Sequence, residues 1–179
     1  MHILAISGSL RASSTNTTLV RAIMKLAPEH MEFTLYDGLG DLPHFSPDID
    51  VEDAPPPVAA LRRQLQAADG VLLCTPEYAY GVPGSLKNAL DWTVSSGEFV
   101  GKPVVAISAS PSFMGGEKAH ASLLLTLTAL SANIVEGGTL IIPLIRSKLN
   151  THGNVSDSAT AEALQSVLAA LAQAISVNV

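Results

Sequence analysis

Three unbroken apolar runs constrain this chain most: Ile3-Leu4-Ala5-Ile6, Val71-Leu72-Leu73-Cys74 and Val104-Val105-Ala106-Ile107. Successive side chains of a strand point to opposite faces, so a strand with one wet face alternates apolar and polar residues. A run without alternation buries both faces, as strands do in a parallel sheet covered by helices. These runs predict strands at His2–Ser7, Gly70–Thr75 and Pro103–Ala109, with two more at Glu32–Tyr36 and 134–142.

Helical patterns alternate with the strands, at 16–27, 56–68, 84–94, 117–131 and 158–176. Val58, Leu61 and Leu65 form one apolar stripe; Leu164, Val167, Leu168, Leu171 and Ile175 form another. Pro55-Pro56-Pro57 marks a helix start, where a missing N–H costs nothing. Asp69-Gly70 reads as the end of the second helix. The expected class is α/β: a flavodoxin-like, open, doubly wound five-stranded parallel sheet of order 2-1-3-4-5, with helices on both faces. A length of 179 residues suits one domain over 1–179. The span 37–54, rich in Pro, Asp and Gly, reads as a long functional loop within it.

A net charge of -6 argues against nucleic acid, which selects basic faces. Cys74 is the only cysteine, so no disulfide forms within the chain, which fits a reducing cytoplasm. The start of the chain shows no leader pattern. The greasy region around 123–135 is interrupted by Thr, Ser and Asn and is too short for a bilayer, so no membrane partner is expected.

In such a sheet, ligands sit beyond the carboxyl ends of the strands where strand order reverses. The first loop there, Gly8 to Asn16, carries the hydroxyls of Ser9, Ser13, Ser14 and Thr15, the Asn16 amide and the Arg11 guanidinium, ahead of a helix. Unpaired N–H groups and the helix dipole make such a turn an anion site. The second loop, Pro76-Glu77-Tyr78-Ala79-Tyr80-Gly81, offers aromatic rings and backbone amides. The third, Ser110 to Gly116, carries Gly115 and Gly116, whose backbone is expected to approach a flat ligand closely. A phosphate at one end and a planar heteroaromatic ring at the other describe a mononucleotide, and FMN suits it. The chain has no G-x-x-x-x-G-K-[ST] and no G-x-G-x-x-G after the first strand. Its five histidines are scattered, without zinc-ligand spacing.

Gly8-Ser9-Leu10-Arg11 with Ser14 and Asn16 resembles the phosphate loop of the NADPH-dependent FMN reductase family. Thr75-Pro76-Glu77-Tyr78, followed by Pro83-Gly84-Ser85-Leu86-Lys87-Asn88-Ala89-Leu90-Asp91-Trp92, resembles it at greater length, and Ser110 with Gly115-Gly116 more loosely. The resemblance spans roughly residues 1–145. It implies bound FMN, oxidation of NADPH or NADH, a homodimer or dimer of dimers, and small acceptors such as quinones, azo compounds, free flavin or metal oxyanions. Carried over by motif, Ser9, Arg11, Ser14 and Asn16, with Thr15 beside them, would hold the FMN phosphate. Pro76, Glu77, Tyr78 and Ala79 would line the isoalloxazine, and Ser110, Gly115 and Gly116 its pyrimidine and ribityl side. Many members carry Asn where this chain has Ala79. The cofactor carries the chemistry, so no catalytic residue is expected. His44 and Phe45, in the long loop, are candidates to reach a partner's flavin. The rival reading is an electron-carrier flavoprotein without NAD(P)H activity. A third makes FMN a substrate released to a monooxygenase.

Overall fold

The computed structural model describes residues 1–51 and 54–177. Glu52 and Asp53 of the expected loop, and Asn178 and Val179 of the expected domain, lie outside the described residues. Five strands, β1 (His2–Ser7), β2 (Glu32–Tyr36), β3 (Gly70–Thr75), β4 (Pro103–Ala109) and β5 (Asn133–Ile142), form one sheet. Its order is β2-β1-β3-β4-β5 and every pairing is parallel. The helices are α1 (Thr15–Leu26), α2 (Pro56–Ala67), α3 (Gly84–Asp91), α4 (Glu117–Ala129), α5 (Ile145–Lys148) and α6 (Ser158–Val177).

The apolar runs behave as their lack of alternation requires. Every residue of β3 and β4 is buried, whereas the edge strand β2 alternates. Leu4, Ile6, Val71, Leu73, Val104 and Ala106 face a core that includes residues of α2, α3 and α4. Ile3, Ala5, Leu72, Cys74, Val105 and Ile107 face the other core, beneath α1 and α6. Each such side chain taken from water contributes roughly 1.5–3 kcal/mol. The sheet is therefore a rigid base for the loops at its carboxyl edge.

Gly70 is required for a different reason from the one its sequence position suggests. It does not reverse the chain as a helix cap. It begins β3, and a Cβ there would lie 2.9 Å from Ile175 Cδ1 on α6. The helix α6 is long enough to cross a membrane, with a mean hydropathy of 1.2, and it outranks the 123–135 region in this respect. Its Leu164, Val167, Leu168, Leu171 and Ile175 are buried in the core on β4 and β5, so it packs as a core helix.

The 37–54 excursion is pinned over its described residues 37–51. It contains two short 3-10 turns, Gly38–Gly40 and Pro47–Ile49, and it buries Leu39 and Leu42. Asn88 and Trp92, one turn apart, grip it from below. The Asn88 and Trp92 side chains each donate to the Pro43 carbonyl (2.9 and 2.8 Å), and Asn88 Oδ1 accepts from the Phe45 N–H (2.8 Å). Phe45 sits edge-on to Trp92, with ring centroids 5.2 Å apart. The Phe45 ring is thus partly buried against its own chain, while His44 stays exposed.

Candidate functional site

The loops after β1, β3 and β4 meet over one crevice of about 180 Å³. Ser9, Arg11, Ser14, Thr15 and Asn16 line one wall, and Pro76, Glu77, Tyr78 and Ser110 the other. Ala79, Gly115 and Gly116 stand outside this wall. Ala109, Pro111, Ile145 and Arg146 complete it; Pro111 belongs to the expected third loop, whereas Ala109, Ile145 and Arg146 were not anticipated from the sequence.

The phosphate-type end is built as follows. Ser14 is the N-cap of α1, and its hydroxyl accepts from the Thr17 N–H (3.2 Å). Among the described residues, the Thr15 and Asn16 N–H groups have no protein acceptor, and the Arg11 guanidinium has no carboxylate partner. Two donors at a helix N-terminus and a free guanidinium form a donor set for an anion. The Asn16 side chain has another task. It is buried; its Nδ2 donates to the Ala109 carbonyl (3.1 Å) and its Oδ1 accepts from Cys74 Sγ (3.2 Å). It therefore ties α1 to the ends of β3 and β4, and its backbone N–H remains the free anion donor. Burial pushes the Cys74 thiol up to about 12, so it acts here as a neutral donor.

The second loop is a two-residue hairpin closed by reciprocal bonds between Tyr78 and Gly81 (3.1 and 3.0 Å). Its central residues, Ala79 and Tyr80, have φ of 48° and 60°. That is the left-handed region, costing non-glycine residues roughly 1–2 kcal/mol each. Non-glycine residues held this way cluster at ligand clamps. The turn leaves the Ala79 and Tyr80 N–H groups without a protein acceptor among the described residues. Tyr78 is half-exposed, and its hydroxyl meets Ser9 Oγ at 3.3 Å, joining the first two loops. Glu77 is turned the other way. Its Oε2 accepts from the N–H groups of Lys118 (2.9 Å) and Ala119 (3.0 Å), capping α4 from a distant part of the chain.

The third loop uses its glycines to lie against the protein. Gly115 has φ of 64°, and a Cβ there would sit 2.5 Å from Ile141 Cγ2 and 3.0 Å from the Pro143 nitrogen. Gly116 starts α4, with Glu77 and Ser108 below it. Close packing on β5 requires glycine at Gly115, and the left-handed backbone (φ 85°) favours it at Gly116. Ser110 Oγ accepts from the Ser112 N–H (3.2 Å) and holds the loop's shape. Beneath it, Ser108 Oγ and His120 Nδ1 are buried without a partner among the described residues, and burial holds the His120 ring below its ordinary pKa.

A family model described as NADPH-dependent FMN reductase matches residues 1–146. A quinone reductase of Escherichia coli is 34% identical, covering 98% of this chain and 95% of its own. An NAD(P)H-dependent FMN reductase of Pseudomonas aeruginosa is 34% identical, covering 96% and 93%. Among solved structures, the flavoenzyme NAD(P)H:(acceptor) oxidoreductase FerB of Paracoccus denitrificans superposes with a TM-score of 0.88 at 33% identity, over 98% of this chain and 97% of that one.

Proposed function

Because the chain belongs to the NADPH-dependent FMN reductase family, we propose that its crevice holds FMN and that it reduces quinone-type acceptors with NAD(P)H. The observation that carries this is the unpaired donor set at the start of α1, facing Pro76, Glu77 and Tyr78 across the same crevice. The residues fit the group. Arg11, the Ser9 hydroxyl and the N–H groups of Thr15 and Asn16 would take the phosphate. Pro76, Tyr78 and the amides of Ala79 and Tyr80 would border the ring, with Ser110 on its other side.

FMN, when bound, supplies two-electron transfer between a reduced nicotinamide and an acceptor. The protein contributes position and electrostatics. The free N–H groups of Ala79 and Tyr80 are oriented before any ligand arrives, so they stabilise negative charge at the ring edge without rearranging. The Ser9–Tyr78 contact fixes the distance between the phosphate end and the ring end. Tyr78 and Tyr80 are exposed, and nicotinamide and acceptor would stack in turn on the ring face beside them. A hydride delivered to a quinone leaves it one proton short of the hydroquinone, and water at the open crevice would supply that proton.

The reading extends to a soluble, cytoplasmic enzyme of one domain, in keeping with a lone buried thiol. It also extends to a homodimer or dimer of dimers, because Leu10, Tyr78, Tyr80, Phe113 and Met114 expose apolar surface around one edge. The test is anaerobic mixing of the yellow protein with NADPH and NADH, then with a benzoquinone. Bleaching followed by quinone-dependent recovery is expected; a bound flavin that neither nucleotide bleaches would refute the reading.

A further inference from the structure

A second cavity of about 310 Å³ opens beside the first, between the start of α1 and the turn 149–155. Thr15 and Arg146 line both, so the two lie side by side with a common wall. No carboxylate lines the second cavity among the described residues, in a chain of net charge -6. Arg146 has no carboxylate partner among the described residues. It stands on α5, which follows Leu144 at φ 53°, a left-handed backbone held by the bond from the Leu144 N–H to the Ser112 carbonyl (3.1 Å). Strain of this kind persists where surrounding structure over-determines it.

The far wall is preorganised. Asn150 Oδ1 accepts from the N–H groups of His152 (2.9 Å) and Asn154 (3.0 Å), which leaves the Asn150 amide nitrogen free to donate. Lys25 on α1 ties down Asn154 (2.9 Å), and Gly153 lies so close to α1 that a Cβ would meet Thr18 Cγ2 at 2.8 Å. The hydroxyls of Ser13, Thr15 and Thr151 have no bonded partner among the described residues. This wall lies beyond the 1–146 family match.

We propose that this cavity is a second phosphate subsite, taking the phosphate of an adenylate that lies next to the flavin phosphate. A guanidinium flanked by hydroxyls and an amide recognises phosphate by charge and by several parallel hydrogen bonds. The adenylate has two sources: the AMP half of FAD, or the adenosine end of NADPH. The inference rests on the flavin reading above.

The test is Thr151→Glu, which places a carboxylate on the far wall without touching the first crevice. Kd values for FMN and FAD are read by flavin fluorescence on the apoprotein, and for 2′,5′-ADP by calorimetry on the FMN-loaded enzyme. A roughly tenfold weaker FAD Kd, with FMN unchanged, assigns the subsite to FAD. The same loss for 2′,5′-ADP assigns it to NADPH. Thr151→Lys should act in the opposite sense and guards against a folding defect. Unchanged affinity for both FAD and 2′,5′-ADP in both variants overturns the subsite. Failure of the wild-type protein to bind FMN is a different result, and it sinks the flavin reading instead.

Discussion

Gly115 is the position where packing, backbone and site depend most on one another. A Gly115→Ala substitution forces a left-handed backbone on a residue with a Cβ, at roughly 1–2 kcal/mol. The new carbon would also lie 2.5 Å from Ile141 Cγ2, with the Pro143 nitrogen at 3.0 Å and the Ile142 carbonyl carbon at 3.2 Å. Carbon contacts settle at about 3.5–4.0 Å, so a shift on the order of 1 Å is needed. Two of the three obstacles are backbone and cannot swing aside. Overpacking of this kind adds about 1–3 kcal/mol. The expected loss is about 2–5 kcal/mol, or a fall in Tm of roughly 4–20 °C for a chain of this size. Because the loop carries Ser110 and borders the crevice, flavin retention after gel filtration should fall with it. Gly84→Ala is the control: nothing lies within 4 Å of its Cβ, so its Tm should stay level or rise. Differential scanning fluorimetry reads both variants. A Gly115→Ala protein melting within 2 °C of wild type would refute the close packing of this loop on β5.

Two further outcomes follow from strain and charge. Ala79→Asn should stabilise the protein by about 0.5–1 kcal/mol, because Asn tolerates the left-handed backbone that Ala79 adopts; chemical denaturation of the apoprotein checks it. Asp50→Asn should destabilise by about 1–3 kcal/mol at pH 7, since Asp50 accepts from Ser95 (2.6 Å) and pairs with Arg62 (2.7 Å). The Ser95 hydroxyl, and then Arg62, hold the Asp50 carboxyl below its ordinary value against the opposing effect of burial. The stabilisation is therefore complete above the unfolded pKa near 4 and is lost as pH falls through the folded value. The gap in melting temperature between wild type and variant should close below about pH 4.

The central strands were legible because burial on both faces leaves an unbroken apolar run, and the predicted bounds of β1, β3 and β4 match the structure residue for residue. The first crevice was legible for a similar reason: hydroxyls, a guanidinium and a helix start are adjacent in sequence. Roles that depend on distant partners were not. That the Glu77 carboxylate, beside the crevice, also caps α4 is visible only in the fold. That the Asn16 side chain is spent on the ends of β3 and β4, leaving only its backbone N–H for an anion, shows only once the fold brings those strand ends to it. Arg146 escaped because its helix has four residues, too few for any periodicity. Gly115 and Gly116 are legible as a loop feature; that β5 crowds Gly115 and that Gly116 has a left-handed backbone only the fold shows.

The central claim is that the β1–α1 turn grips the phosphate of the flavin. The direct measurement compares FMN with riboflavin, which lacks only the phosphate, in wild type and in a Ser9→Ala, Arg11→Ala double variant. The account predicts that wild type prefers FMN by about a hundredfold, and that the variant loses most of this preference while binding riboflavin as before. An FMN-to-riboflavin ratio that is the same in both proteins would contradict it.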